Sequence, residues 1–226
     1  MKRLGLYICL FVWLGQICFG QGIQLGFLPQ VNVNYDIQDN WNINGKVESR
    51  LVLGKGNLED GIREDISYSL TDISAVLARQ VSLRGKLGAG YLMRLSNGKM
   101  IHRSSQMYSL VRKFDGFKMG HRFLTDQTFE SNEPVSYRLR YRISSEIPLR
   151  GQAADSREFY LKMNNEYLGI VENDVSNLEV RWVGTIGYKI TDSNKMEWGI
   201  DARFRNITRE SRNFQGWLLF AWYYSP

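Results

Sequence analysis

Charged side chains recur at every second position in the second half of the chain, and that spacing limits the chemistry open to them. Arg138, Arg140 and Arg142 alternate with Leu139 and Tyr141. Glu179 and Arg181 repeat the spacing, as do Arg203 and Arg205, with Glu197 and Asp201 just before the last pair. A spacing of two puts side chains on one face of a β-strand. Opposite charges on neighbouring strands pair across a sheet. Arg138, Arg140, Arg142, Glu179, Arg181, Glu197, Asp201, Arg203 and Arg205 are therefore read as lining one interior surface, with Lys118, Arg122 and Asp126 extending it. Two chemistries fit such a surface. One is a salt-bridge network that fills a narrow interior. The other is a charged constriction that selects small anions, because rings of arginine favour anions.

A hydrolytic site is the alternative from another class. The chain has two histidines, His102 and His121, and Ser104 and Ser105 follow the first. A serine becomes a nucleophile when a histidine lies within hydrogen-bond reach and a third group orients the ring. Spacing does not establish that geometry, so no catalytic residue is assigned. No histidine cluster suits zinc, no Gly-Lys-Ser/Thr loop suits phosphate, and no EF-hand spacing suits calcium. No metal site and no cofactor are expected.

The elements that position these charges are strands. Trp41, Ile43, Val47, Leu51 and Leu53 share one face of a segment whose other face carries Asn42, Asn44, Lys46, Glu48 and Arg50. Apolar–polar alternation of this kind marks a strand with unlike faces. It recurs at 81–93, 137–143, 178–188 and 196–205. The segment 214–224 is apolar or aromatic on both faces. Less regular strands fall near 25–37, 63–77, 101–112, 117–129 and 158–168. The total is about eleven, and ten to twelve strands are expected. Single-chain bacterial barrels normally have an even number, so either one segment is miscounted or the first lies outside the closed sheet. An interior of this size is narrow, which favours the salt-bridge network over the constriction.

The chain begins Met1-Lys2-Arg3, continues in an apolar run to Phe19, and places small residues at Cys18 and Gly20. This is the pattern of a secretory signal over residues 1–20, followed by one domain over 21–226. Both cysteines, Cys9 and Cys18, fall inside the signal. The full chain has 29 basic and 23 acidic residues. Without Lys2 and Arg3 the balance is 27 to 23, too even for a nucleic-acid footprint.

A closed antiparallel up-and-down transmembrane barrel fits best, against an exported lipocalin-like binding barrel whose apolar face points inward. The longer strands exceed the 9–11 residues that cross a bilayer. Short turns at 38–40, 113–116 and 191–194 alternate with longer connections at 54–61 and 206–213, although 150–157 is longer than that alternation predicts. Trp41, Tyr91, Tyr188 and Trp222-Tyr223-Tyr224 are read as girdle residues at strand ends. The expected partners are outer-membrane lipid and the barrel-assembly machinery, in the outer membrane.

Short motifs in the second half carry a family resemblance. They include His121-Arg122-Phe123, Asp126-Gln127, Arg138-Leu139-Arg140-Tyr141-Arg142 and Pro148-Leu149. Glu158-Phe159-Tyr160, Asn165-Glu166, Glu179-Val180-Arg181, Gly187-Tyr188 and Glu197-Trp198-Gly199 continue them. From His121 to Trp222 the chain resembles domain-of-unknown-function family 2490, a family of Gram-negative outer-membrane barrels. The N-terminal half matches by strand rhythm alone. The resemblance implies a barrel without an established activity and supplies no catalytic residues.

Overall fold

Alternating faces leave each strand with one side to bury, and a closed sheet does this while pairing every backbone group. A computed structural model describes residues 22–38, 40–172, 175–209 and 211–226. The signal segment and both cysteines lie outside the described residues. Eleven strands follow in chain order: β1 Gly22–Asp36, β2 Trp41–Asn57, β3 Gly61–Gln80, β4 Gly85–Ser96, β5 Lys99–Phe114 and β6 Phe117–Phe129, then β7 Ser136–Pro148, β8 Glu158–Glu172, β9 Val175–Lys189, β10 Asn194–Arg205 and β11 Asn213–Tyr224. Each pairs with its neighbour in sequence, and β1 meets β11 to close the barrel.

Ten of the pairings are antiparallel, and the closure is parallel, with Gly22 opposite Asn213 and Val33 opposite Tyr224. The odd count requires this. After ten reversals of direction, first and last strands run the same way. The first strand is thus part of the closed sheet, and the expectation of an even number gives way to a single parallel seam.

Two strand limits differ from those read in the sequence. β4 starts at Gly85 rather than Val81, because 81–84 fold into a turn. Val81 and Ser82 donate their amides to the Gly85 carbonyl, and Ser82 Oγ accepts from the Gly85 amide. Most of 54–61 is strand, and the turn is confined to 58–60, where Asn57 Oδ1 accepts from the amides of Glu59 and Asp60. β2 and β3 therefore form a long ribbon. β3 ladders with β4 only from Thr71 onward, so residues 61–70 ladder with β2 alone. That ribbon stands past the Asn97-Gly98 turn, whose positive φ angles of 50° and 75° suit a two-residue hairpin.

Connections 37–40, 81–84, 115–116, 149–157 and 190–193 lie at one end of the barrel, and those at 58–60, 97–98, 130–135 and 206–212 at the other. The first will be called the turn end and the second the loop end.

Register fixes which face each side chain takes. Val31, Leu51, Leu77, Leu87, Leu139, Trp182, Ile186, Ile200 and Leu218 are large apolar residues exposed on the outer wall. Aromatic rings collect at the turn end: Tyr35, Trp41 beneath Arg79, the stacked pair Phe114 and Phe117, Phe159 against Tyr188, and Trp222 beside Tyr224. Tyr91 is the exception to the girdle reading. It lies in the middle of β4 and bonds His102.

Candidate functional site: a charged barrel interior

The inner wall reverses the polarity of the outer one. Its buried residues include Glu48, Asp72, Arg103, Asp126, Glu166, Glu179, Glu197, Asp201 and Arg203. Cross-strand register brings them into pairs, because residues directly opposite on one face have neighbouring Cβ atoms.

Asp126 on β6 lies opposite Arg138 on β7 and is the most enclosed of these carboxylates, at 1% exposure. Arg138 Nε donates to its Oδ1 at 2.5 Å, and Arg103 Nε lies 3.5 Å from the same oxygen while donating to Thr128 Oγ1. Arg140 Nη2 is 2.8 Å from Oδ2, an ion pair whose angle departs from a hydrogen-bond line. Glu166 on β8 sits between Arg142 at 2.7 Å and Arg181 at 3.3 Å. Glu179 bridges Arg181 at 2.5 Å and Arg205 at 3.2 Å. Arg203 grips Asp201 through Nε and Nη2.

All nine residues read from the sequence thus reach the inner wall. Eight join these arginine-to-carboxylate pairings, and Glu197 joins a second kind of cluster near the turn end. Lys162 Nζ lies 2.9 Å from Glu197 Oε1, and the hydroxyls of Tyr160 and Tyr223 donate to its two oxygens. Lys118 pairs with Glu146 at 2.8 Å. Arg122 stands opposite Arg142 in the β6–β7 register and makes none of the ion pairs seen among the described residues.

Sequence reading missed the other side of the network. Glu48 holds Lys46 and Arg50, each at 3.0 Å, and Arg50 reaches Asp72 at 3.9 Å. Asp72 receives two hydrogen bonds from Arg94. These residues alternate as regularly as the arginines of β7. The alternation across Trp41–Leu53 had already put Glu48 and Arg50 on its polar face, but no opposite partner was in view. Trp217 was hidden for a different reason: β11 is apolar on both faces. Its indole is 1% exposed and lies 6.0 Å from the Arg50 guanidinium and 5.9 Å from that of Arg203. With Leu28, Val52, Leu219 and Ala221 it forms an apolar cluster inside the barrel. Gly26 opposite Trp217 is required by close approach, since a Cβ there would lie 2.5 Å from the ring. Gly187 leaves the same room for the Tyr160 ring.

Among the described residues no hydrogen bond joins a serine hydroxyl to His102 or His121. Ser104 Oγ donates to Gln127 Oε1, His102 Nδ1 is bonded to the Tyr91 hydroxyl, and His121 Nδ1 to that of Tyr141. Among the described residues, no group of three or more His, Cys, Asp or Glu side chains is arranged to hold a metal ion.

A structure of OmpT, an outer membrane protein of Vibrio cholerae, in its trimer form is 11% identical, with a TM-score of 0.42 over 76% of this chain and 78% of that one. A second structure of in-vitro folded OmpT is likewise 11% identical, with a TM-score of 0.41 over 79% of this chain and 81% of that one. No curated protein matches the sequence. The family model described as protein of unknown function DUF2490 matches residues 25–214, reaching well into the N-terminal half where the short motifs do not. The eleven-stranded barrel with its charged interior belongs to the DUF2490 family.

Proposed function

We propose that this protein is an integral outer-membrane β-barrel whose interior is closed by ion pairs, with a structural rather than a transporting role. The reversal of polarity across the wall carries the reading. Leu218 is 58% exposed on the outside of β11, while Trp217, its neighbour, is buried among charges on the inside. A soluble lipocalin-like barrel needs the opposite arrangement.

The dimensions agree with a bilayer. Phe214 and Tyr224 bound the outer face of β11, ten residues apart. That is roughly 33 Å along the strand, or about 25 Å along the axis at a tilt near 40°. The apolar band of an outer-membrane barrel has about this height. In this reading the signal at 1–20 directs export, the barrel-assembly machinery inserts the chain, and acyl chains cover the outer wall.

The test is fractionation of cells expressing the full chain. The protein is expected in the outer membrane, extracted by detergent, with a gel mobility that shifts on boiling. Recovery as a detergent-free soluble protein of the periplasm would sink the proposal.

An anion passage is the second reading, favoured by Arg122, which faces inward without a carboxylate in the described network. Steps of conductance in planar bilayers whose anion preference falls in Arg122→Gln would support it.

A further inference from the structure

A cluster of polar side chains interrupts the apolar outer wall. On β5 and β6 the outward positions in the half nearer the loop end include Ser104, Gln106, Thr125 and Gln127, with Gln106 and Thr125 exposed. Apolar and aromatic residues, with the single histidine His102, frame them. Tyr91 and Ala89 on β4 stand opposite Ser104 and Gln106, while Leu139 and Tyr137 on β7 stand opposite Thr125 and Gln127. Along the strands, His102, bonded to the Tyr91 hydroxyl, and Phe129 lie toward the loop end, and Tyr108 and Phe123 toward the turn end.

The four side chains bond to one another. The two amides exchange hydrogen bonds, Gln127 Nε2 to Gln106 Oε1 at 3.2 Å and Gln106 Nε2 to Gln127 Oε1 at 3.3 Å. Thr125 Oγ1 donates to Gln106 Oε1, and Ser104 Oγ to Gln127 Oε1. Each amide spends one of its two N–H groups, leaving the other free, and both hydroxyl oxygens keep acceptor lone pairs. Unspent donors facing hydrocarbon are costly.

We propose that this window is the contact through which two copies of the chain pair side by side in the membrane. The inference rests on the membrane-spanning reading. A two-fold axis along the membrane normal brings the same patch of each copy together, so the patch must complement itself. This one does, because it carries free N–H donors and hydroxyl acceptors in equal kind and no charge. A phosphate-bearing lipid headgroup is a poorer occupant, since the window holds no lysine or arginine.

The experiment uses the full chain in its membrane. Gln106→Cys and, on the far wall, Val31→Cys are each treated with a short thiol-specific bifunctional crosslinker, and wild type, whose cysteines are Cys9 and Cys18, gives the baseline. Polar contacts between membrane segments are worth roughly 1–2 kcal/mol each, so the crosslinked dimer from Gln106→Cys should exceed that from Val31→Cys by about tenfold or more. In detergent, wild type should have the mass of a dimer, and Gln106→Leu with Gln127→Leu that of a monomer whose heat-dependent mobility is unchanged. Equal crosslinking at both sites, or none at Gln106→Cys in a chain that still shows the mobility shift, overturns the pairing and leaves the barrel reading intact. A chain recovered soluble overturns both.

Discussion

Asp126 shows how much a single interior residue carries. Three arginines, Arg103, Arg138 and Arg140, surround a carboxylate closed to water. A buried ion pair adds little net stability, but removing one partner leaves the others charged and uncompensated. Asp126→Ala should cost about 3–5 kcal/mol, seen as a lower temperature for conversion of the compact band to the boiled form on gels. Lys99→Ala, which breaks the exposed pair with Glu130 at the loop end, should leave that temperature nearly unchanged. The sequence placed Asp126 with the interior arginines, but its rank as the most enclosed carboxylate follows from the β5–β6–β7 register, which brings three guanidiniums to it.

At the level of the element, the long strands divide into parts that cross the apolar belt and parts that pass beyond it. Leu218 lies near the middle of β11 on the outer face. Leu218→Arg should cost roughly 2–4 kcal/mol, whereas Ile66→Arg, 72% exposed on the ribbon past the end of β4, should cost about 0–1 kcal/mol. Unfolding in lipid vesicles with a chemical denaturant would measure both. The 149–157 connection is another case where length alone misleads. It is pinned to the 190–193 turn by Ser156 Oγ donating to Asp192 Oδ1 and to the end of β9 by Arg157 N donating to the Lys189 carbonyl. Hydrogen bonds from Lys189 and Ser156, with the Lys189 charge, hold the Asp192 carboxyl below its ordinary value. The folded form is thus favoured above the ordinary carboxylate pKa, and the benefit is lost as pH falls through the lowered value. The Arg157 amide, bonded to the Lys189 carbonyl, should lose protection against hydrogen exchange once Asp192 is protonated, after correction for the intrinsic pH dependence of exchange.

For the molecule as a whole, the question is whether the interior conducts. Barrels of about eight strands are filled by side chains and those of 16–18 leave a channel. Eleven strands lie near the filled limit, and Trp217 is buried inside the barrel with the Arg50 and Arg203 guanidiniums 6.0 and 5.9 Å from its ring. Purified wild type should show no conductance steps in planar bilayers. Arg50→Ser combined with Trp217→Ala removes the sandwich and should produce them. Steps of equal size in wild type would mean that the stacked side chains do not block the lumen.

The local period of the sequence determined the strands, their long spans and the face on which each charge lies, because alternation is a property of neighbouring residues. It therefore placed Arg138, Arg140 and Arg142 together and separated them from Leu139 and Tyr141. Tertiary structure alone decided which residues meet. The parallel seam of β1 with β11 joins residues nearly the whole chain apart. The pairing of Asp126 with three arginines depends on register between strands, which no single segment encodes. Trp217 was illegible for the same reason: both faces of its strand are apolar, and only closure of the barrel defines an inside.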